Sequence, residues 1–143
     1  MPRLIFVNRF YAPDHSATAQ ILTDLCRWLA ANGFEVTVVA SRMRYDDPKA
    51  VLPGDEMLDG VRVRRVATTR LGRGNVLGRL TDYLSFYLAA TLALARIARR
   101  GDVIVAKTDP PLISVPAALV ARIKGARLVN WLQDLYPEVA VAM

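Results

Sequence analysis

Four short, mainly apolar runs punctuate the chain: Leu4-Ile5-Phe6-Val7, Val36-Thr37-Val38-Val39-Ala40, Val103-Ile104-Val105-Ala106 and Leu128-Val129-Asn130-Trp131-Leu132. Their length fits strands buried on both faces. In Val61-Arg62-Val63-Arg64-Arg65-Val66 the valines are spaced by arginines, which predicts a half-exposed strand near a sheet edge. Helical spacing fills the gaps between these runs. From Ser16 onward Ile21, Leu22, Leu25, Cys26, Trp28 and Leu29 share one face, and Asn32-Gly33 stops the helix. A second helical pattern runs from about Val76 to Arg100 and ends at Gly101; a third covers 112–124 and stops at Gly125. Residues 41–60, rich in Asp, Pro and Gly, read as a long polar excursion, of the kind that is functional or mobile. The order β-α-β-β-α-β-α-β predicts an α/β domain, a mainly parallel sheet with helices on both faces. Right-handed crossovers make it a doubly wound, Rossmann-like sheet with strand order 3-2-1-4-5.

That topology fixes where a ligand must sit. In an open doubly wound sheet the binding crevice lies beyond the carboxyl ends of the strands, where the strand order reverses. Here that is between the first and fourth strands. The loops that meet there run from Arg9 to His15 and from Lys107 to Pro111, with Gln133 to Glu138 beside them. They carry Arg9, Asp14, His15, Lys107, Thr108, Asp109, Asp134 and Glu138. The first loop enters a helix at Ser16-Ala17-Thr18-Ala19, where unpaired backbone N–H groups and small side chains suit a phosphate. Asp14 or Ser16 acting as a simple helix cap is the other reading of the same residues.

Composition narrows the class of partner. The 143 residues are 53% hydrophobic and 22% charged, enough apolar material for one sizeable core and too much for a disordered chain. The net charge of +6 suits a phosphate-bearing ligand or an anionic membrane surface. Nucleic acid is not indicated, because the aromatics sit in apolar periodic segments instead of alternating with the basic residues. One Cys, Cys26, and one His provide neither an internal disulfide nor a zinc cluster, which fits a reducing, cytoplasmic setting; no cofactor is expected. The apolar run at the N-terminus is far too short for a signal peptide.

Two segments invite over-reading. Gly72-Arg73-Gly74 with Gly78 looks like part of a dinucleotide fingerprint, but it follows the third strand, and the first strand–helix turn contains no glycine. The stretch Tyr83 to Ala95 is uncharged but, at thirteen residues, too short to span a bilayer, which takes about 20. Packing on the sheet accounts for it. Interfacial docking, aided by Arg70, Arg73, Arg79, Arg96, Arg99 and Arg100 at its ends, is the functional reading. Pro137 is well placed to open a further helix that the chain barely begins, which predicts a domain belonging to a longer protein.

Several stretches together resemble a known family. Asn8-Arg9-Phe10-Tyr11-Ala12-Pro13-Asp14-His15-Ser16-Ala17-Thr18-Ala19-Gln20 is similar to the first loop and helix start of bacterial family 4 glycosyltransferases, the nearest group being the colanic-acid and capsule-type enzymes. Ser41-Arg42-Met43-Arg44-Tyr45, Asp59-Gly60-Val61-Arg62-Val63, Lys107-Thr108-Asp109-Pro110-Pro111 and Trp131-Leu132-Gln133-Asp134-Leu135-Tyr136-Pro137-Glu138 resemble the same group. The resemblance implies the N-terminal, acceptor-side half of a GT-B fold, retaining chemistry and no catalytic metal. It further implies a nucleotide-sugar donor held mainly by a second domain, and an acceptor that is a saccharide or a polyprenyl-diphosphate-linked sugar. The setting it implies is the inner face of the cytoplasmic membrane, in cell-surface polysaccharide synthesis.

The residue chemistry is compatible. Transfer from a nucleotide sugar releases a diphosphate, so Arg9, the helix start at Ser16, Ala17 and Thr18, and Lys107 are suited to meet growing negative charge. A carboxylate, Asp134 first and Glu138 second, would orient the acceptor hydroxyl; a helix cap and a solvated first-turn carboxylate are the plainer roles. His15 is expected to hydrogen-bond acceptor or phosphate. Two other classes compete: a nucleotide-binding oxidoreductase domain and a non-catalytic peripheral membrane module.

Overall fold

The computed structural model describes residues 3–14, 16–43, 49, 51–69, 71, 75–107 and 112–131. The order of elements is β1 (Leu4–Val7), α1 (Ala17–Ala31), β2 (Val36–Ser41), β3 (Asp55–Leu58), β4 (Val61–Val66), α2 (Val76–Ile97), β5 (Val103–Ala106), α3 (Ser114–Lys124) and β6 (Arg127–Asn130). One six-stranded sheet has the order β3-β4-β2-β1-β5-β6. Every pairing is parallel except β3 with β4. The five strands expected from the sequence take the expected doubly wound order, and β3 is added at one edge.

That addition corrects the reading of residues 41–60 as a structureless excursion. Asp55–Leu58 turns back on β4 through Asp59 and Gly60, whose φ values are 52° and 81°. Two successive positive φ angles define the tight hairpin that Asp-Gly favours, because its twist matches the twist of the flanking strands. Asp55 and Met57 are exposed, so β3 lacks the apolar signature of the other strands.

The sheet separates two cores. On one face Ile5, Val7, Val39, Ile104 and Ala106 meet Phe86, Ala90 and Leu94 of α2 and Ile113, Ala117 and Val120 beside and within α3. On the other, Phe6, Val36, Val38, Val61, Val63 and Val105 meet Leu22 and Cys26 of α1. The apolar face assigned to α1 needs adjustment. Leu22 and Cys26 are buried with Ala19 and Thr23, whereas Ile21 and Trp28 are 45% and 60% exposed. The inward stripe holds smaller residues than the run of large ones suggests, because Ala19 packs with Phe10 and Met43 and the Thr23 hydroxyl accepts the Ala12 N–H. Helices α2 and α3 end three residues and no residues, respectively, from the positions read from the sequence.

Candidate functional site

Parity along the strands decides where each candidate points. Val7 faces the α2/α3 core, and two residues later the Arg9 guanidinium lies 5.0 Å from the Phe10 ring centre and 5.1 Å from that of Tyr83 on α2. Val105 faces the α1 core, and two residues later Lys107 is buried on that side, its Nζ 3.5 Å from the centre of the Trp131 ring. Arg9 and Lys107 therefore flank the switch point from opposite faces of the sheet and do not converge. Stacking on aromatic faces holds both cations in place through the ring quadrupoles.

Between them the first loop delivers the N-terminus of α1. Asp14 is buried and its Oδ1 accepts the Ser16 backbone N–H at 2.7 Å. Ser16 is the N-cap residue, yet its side chain makes no capping bond, its Oγ is buried without a partner, and the first turn of α1 contains no acid. Ser16 does not act as a side-chain cap; the carboxylate at the helix start is that of Asp14, held on the Ser16 N–H, and the Ala17 and Thr18 N–H groups follow it at the positive end of the helix. Ala17 is exposed and Thr18 half-buried, leaving the approach open.

Four further residues shape the crevice and carry no role in the sequence reading. Asn8, fully buried at the end of β1, donates from Nδ2 to the Phe10 carbonyl at 2.7 Å and keeps its Oδ1 unpaired. The Tyr11 hydroxyl is also buried and unpaired, and burial pushes its pKa well above the ordinary tyrosine value. Arg65, on the same side of β4 as Val61 and Val63, donates from Nη2 to the Ala12 carbonyl and from Nη1 to Pro53 O, and pairs with Glu56. Asp82 of α2 is buried and accepts from Thr69 Oγ1 and from the Leu71 backbone N–H, tying down the loop that follows β4. Strand parity was the available signal for Arg65, and helical spacing with Phe86 and Ala90 for Asp82.

His15, Thr108, Asp109, Asp134 and Glu138 lie outside the described residues, as do Arg70 and Arg73. Among the described residues no group of three His, Cys, Asp or Glu side chains is placed to hold a metal ion. Among them, too, no helix is long and apolar enough to cross a membrane.

A doubly wound sheet with a helix N-terminus at its switch point, flanked by cations, defines an α/β domain whose ligand crevice lies at the carboxyl ends of its strands. The family model described as glycosyl transferase 4-like domain matches residues 16–141, and the chain belongs to that family. It is a glycosyltransferase domain. No curated protein and no solved structure is matched by the chain.

Proposed function

We propose that this chain is the acceptor-side domain of a retaining, GT-B glycosyltransferase of cell-surface polysaccharide synthesis. It would work with a nucleotide-sugar donor held mainly by a second domain, and with a saccharide or polyprenyl-diphosphate-linked acceptor. The observation that carries the reading is the α1 N-terminus, with no acid in its first turn and no side-chain cap, at the switch point of the sheet. Negative charge on a diphosphate is best met by groups already oriented before it forms. The N–H groups of Ala17 and Thr18, with Arg9 fixed between two rings, are such groups. Lys107, buried on the opposite face, adds its field through the end of β5. Asp134, or failing that Glu138, orients the acceptor hydroxyl, and His15, Asp14, Thr108 and Asp109 complete the lining. A dinucleotide fingerprint is absent from the first turn, and the family match supports transfer over hydride chemistry.

Calorimetric titration of the chain with a prenyl-diphosphate saccharide tests this. Binding is expected, weakened about tenfold in Arg9→Gln, since one charge-assisted contact is worth roughly 1.5 kcal/mol. Turnover of nucleotide sugars by the chain alone is expected to be nil. Tight binding of a nicotinamide dinucleotide in place of the acceptor, or acceptor binding indifferent to Arg9→Gln, overturns the reading.

A further inference from the structure

A cation withdrawn from water ordinarily sits against an acid. Arg9 does not. Its backbone carbonyl accepts the Ser41 N–H at 2.8 Å, which pins the first loop to the end of β2. The half-buried side chain then lies over the Phe10 and Tyr83 rings. Among the described residues no carboxylate pairs with it, and its Nε is buried without a hydrogen-bond partner. A guanidinium stacks through its flat faces and donates through its edges, so ring contacts leave its N–H groups available to a further partner. That rigid fork suits an oxyanion offering two oxygens side by side, as a phosphate does.

The two rings differ in what else they do. Phe10 is the next residue in the chain and packs with Ala19 and Met43, so it belongs to the fabric of the loop. Tyr83 comes from α2. Phe86, Ala90 and Leu94 of that helix pack on the sheet, and Tyr87 packs against the same core; among the described residues Tyr83 is not part of it. Bonds on either side nevertheless set its place. Asp82 Oδ1 accepts the Thr69 hydroxyl and the Leu71 N–H, and Ser85 Oγ accepts the Thr69 N–H at 3.1 Å. These contacts fasten the first half of α2 to the loop after β4. The ring is thereby presented to Arg9, while the packing of α2 on the sheet makes no use of it.

We propose that Tyr83 is a positioning residue for binding of the phosphate-bearing acceptor. Its ring holds the Arg9 guanidinium in one plane, so that a phosphate meets N–H groups already in place instead of a long, mobile side chain. Ordering the cation beforehand removes a cost that binding would otherwise carry. The inference rests on the transferase reading for the nature of the ligand; the geometry of the pair does not.

Two measurements on the full chain test it. The first uses no ligand. In a proton–nitrogen correlation spectrum the Arg9 Nε–H is expected upfield of other arginines, shifted by the ring currents. Tyr83→Phe, which keeps the ring, should preserve that shift, and Tyr83→Leu should reduce it. The second is calorimetric titration with inorganic diphosphate. Tyr83→Leu is expected to weaken binding about threefold to tenfold, and Tyr83→Phe to leave it within about twofold of the parent. In an Arg9→Gln background Tyr83→Leu should cost nothing further, because a ring that acts through the cation then has nothing to act on. A Tyr83→Leu chain that keeps either the Nε–H shift or the parent's affinity overturns the proposal. So does an equal loss of affinity in both backgrounds, or in Tyr83→Phe and Tyr83→Leu alike. Diphosphate binding that is absent from the parent, or that Arg9→Gln leaves intact, overturns the acceptor reading and this inference with it.

Discussion

The guanidinium of Arg65 reaches the carbonyl of Ala12, 53 residues earlier in the chain, with Nη2 and O 2.5 Å apart. The same side chain holds Pro53 O and Glu56, so one buried cation joins the loop after β1, the approach to β3 and β3 itself. Replacing Arg65 with Met removes the charge and strands those acceptors. A loss of about 2–4 kcal/mol of unfolding free energy is expected from urea titration. Arg65→Lys should recover only part of it, because one ammonium cannot cover the spread of acceptors that a planar fork covers.

Asp82 supports a different loop. Its Oδ1 accepts both the Thr69 hydroxyl, at 2.5 Å, and the Leu71 N–H, at 2.9 Å. Asp82→Asn keeps an acceptor oxygen and should cost about 1 kcal/mol; Asp82→Ala removes both bonds from a buried site and should cost about 2–3 kcal/mol. For a domain of this size each kilocalorie corresponds to roughly 3 °C in thermal midpoint, so scanning calorimetry distinguishes the two.

Gly78, in the first turn of α2, reverses the usual rule. Gly→Ala inside a helix normally gains about 1 kcal/mol. Here an added Cβ would collide with the Leu71 carbonyl oxygen and lie 2.8 Å from Asn75 Oδ1, which caps the helix at the Gly78 N–H. Gly78→Ala is therefore expected to lower the thermal midpoint, with a net cost of about 1–3 kcal/mol. A rise in midpoint would show that the loop before α2 can move aside.

Cys26 and Tyr11 predict how the domain responds to alkali. Burial pushes the Cys26 thiol up to about 12, and burial likewise raises Tyr11. Below the unfolded thiol value, about 8.5, neither folded nor unfolded chain ionises at Cys26 and the full stability is present. Above it the unfolded chain releases a proton that the folded chain keeps, so stability falls by as much as ~1.4 kcal/mol per pH unit until the folded value is reached. Tyr11 adds to the slope above about 10. Urea midpoints between pH 7 and 10.5 should show this decline, and Cys26→Ala should remove the part that begins near pH 8.5.

Much of this architecture was legible from periodicity. Four strands, three helices and the reversal of strand order follow from short apolar runs alternating with 3.6-residue spacing, and a fifth strand from valines alternating with arginines; the last run, read as buried on both faces, is instead the edge strand β6, with Arg127, Val129 and Asn130 exposed. What escaped was the element without that signature. β3 is held by ladder bonds to β4 and by the Glu56–Arg65 pair, not by an apolar stripe, and only Asp59-Gly60 announced it. Within the site, the positions of Arg9 and Lys107 were readable but their directions were not drawn out. Counting two residues on from Val7 and from Val105 places them on opposite faces. The unmade cap at Ser16 was out of reach of sequence, since the same residue types serve equally well as caps.

Helix α2 carries Tyr83, on which the Arg9 guanidinium rests. The ring beneath the Arg9 cation is therefore carried by the same helix that Phe86, Ala90 and Leu94 seat on the sheet, so a cavity cut into that core is expected to loosen a cation that the core residues never touch.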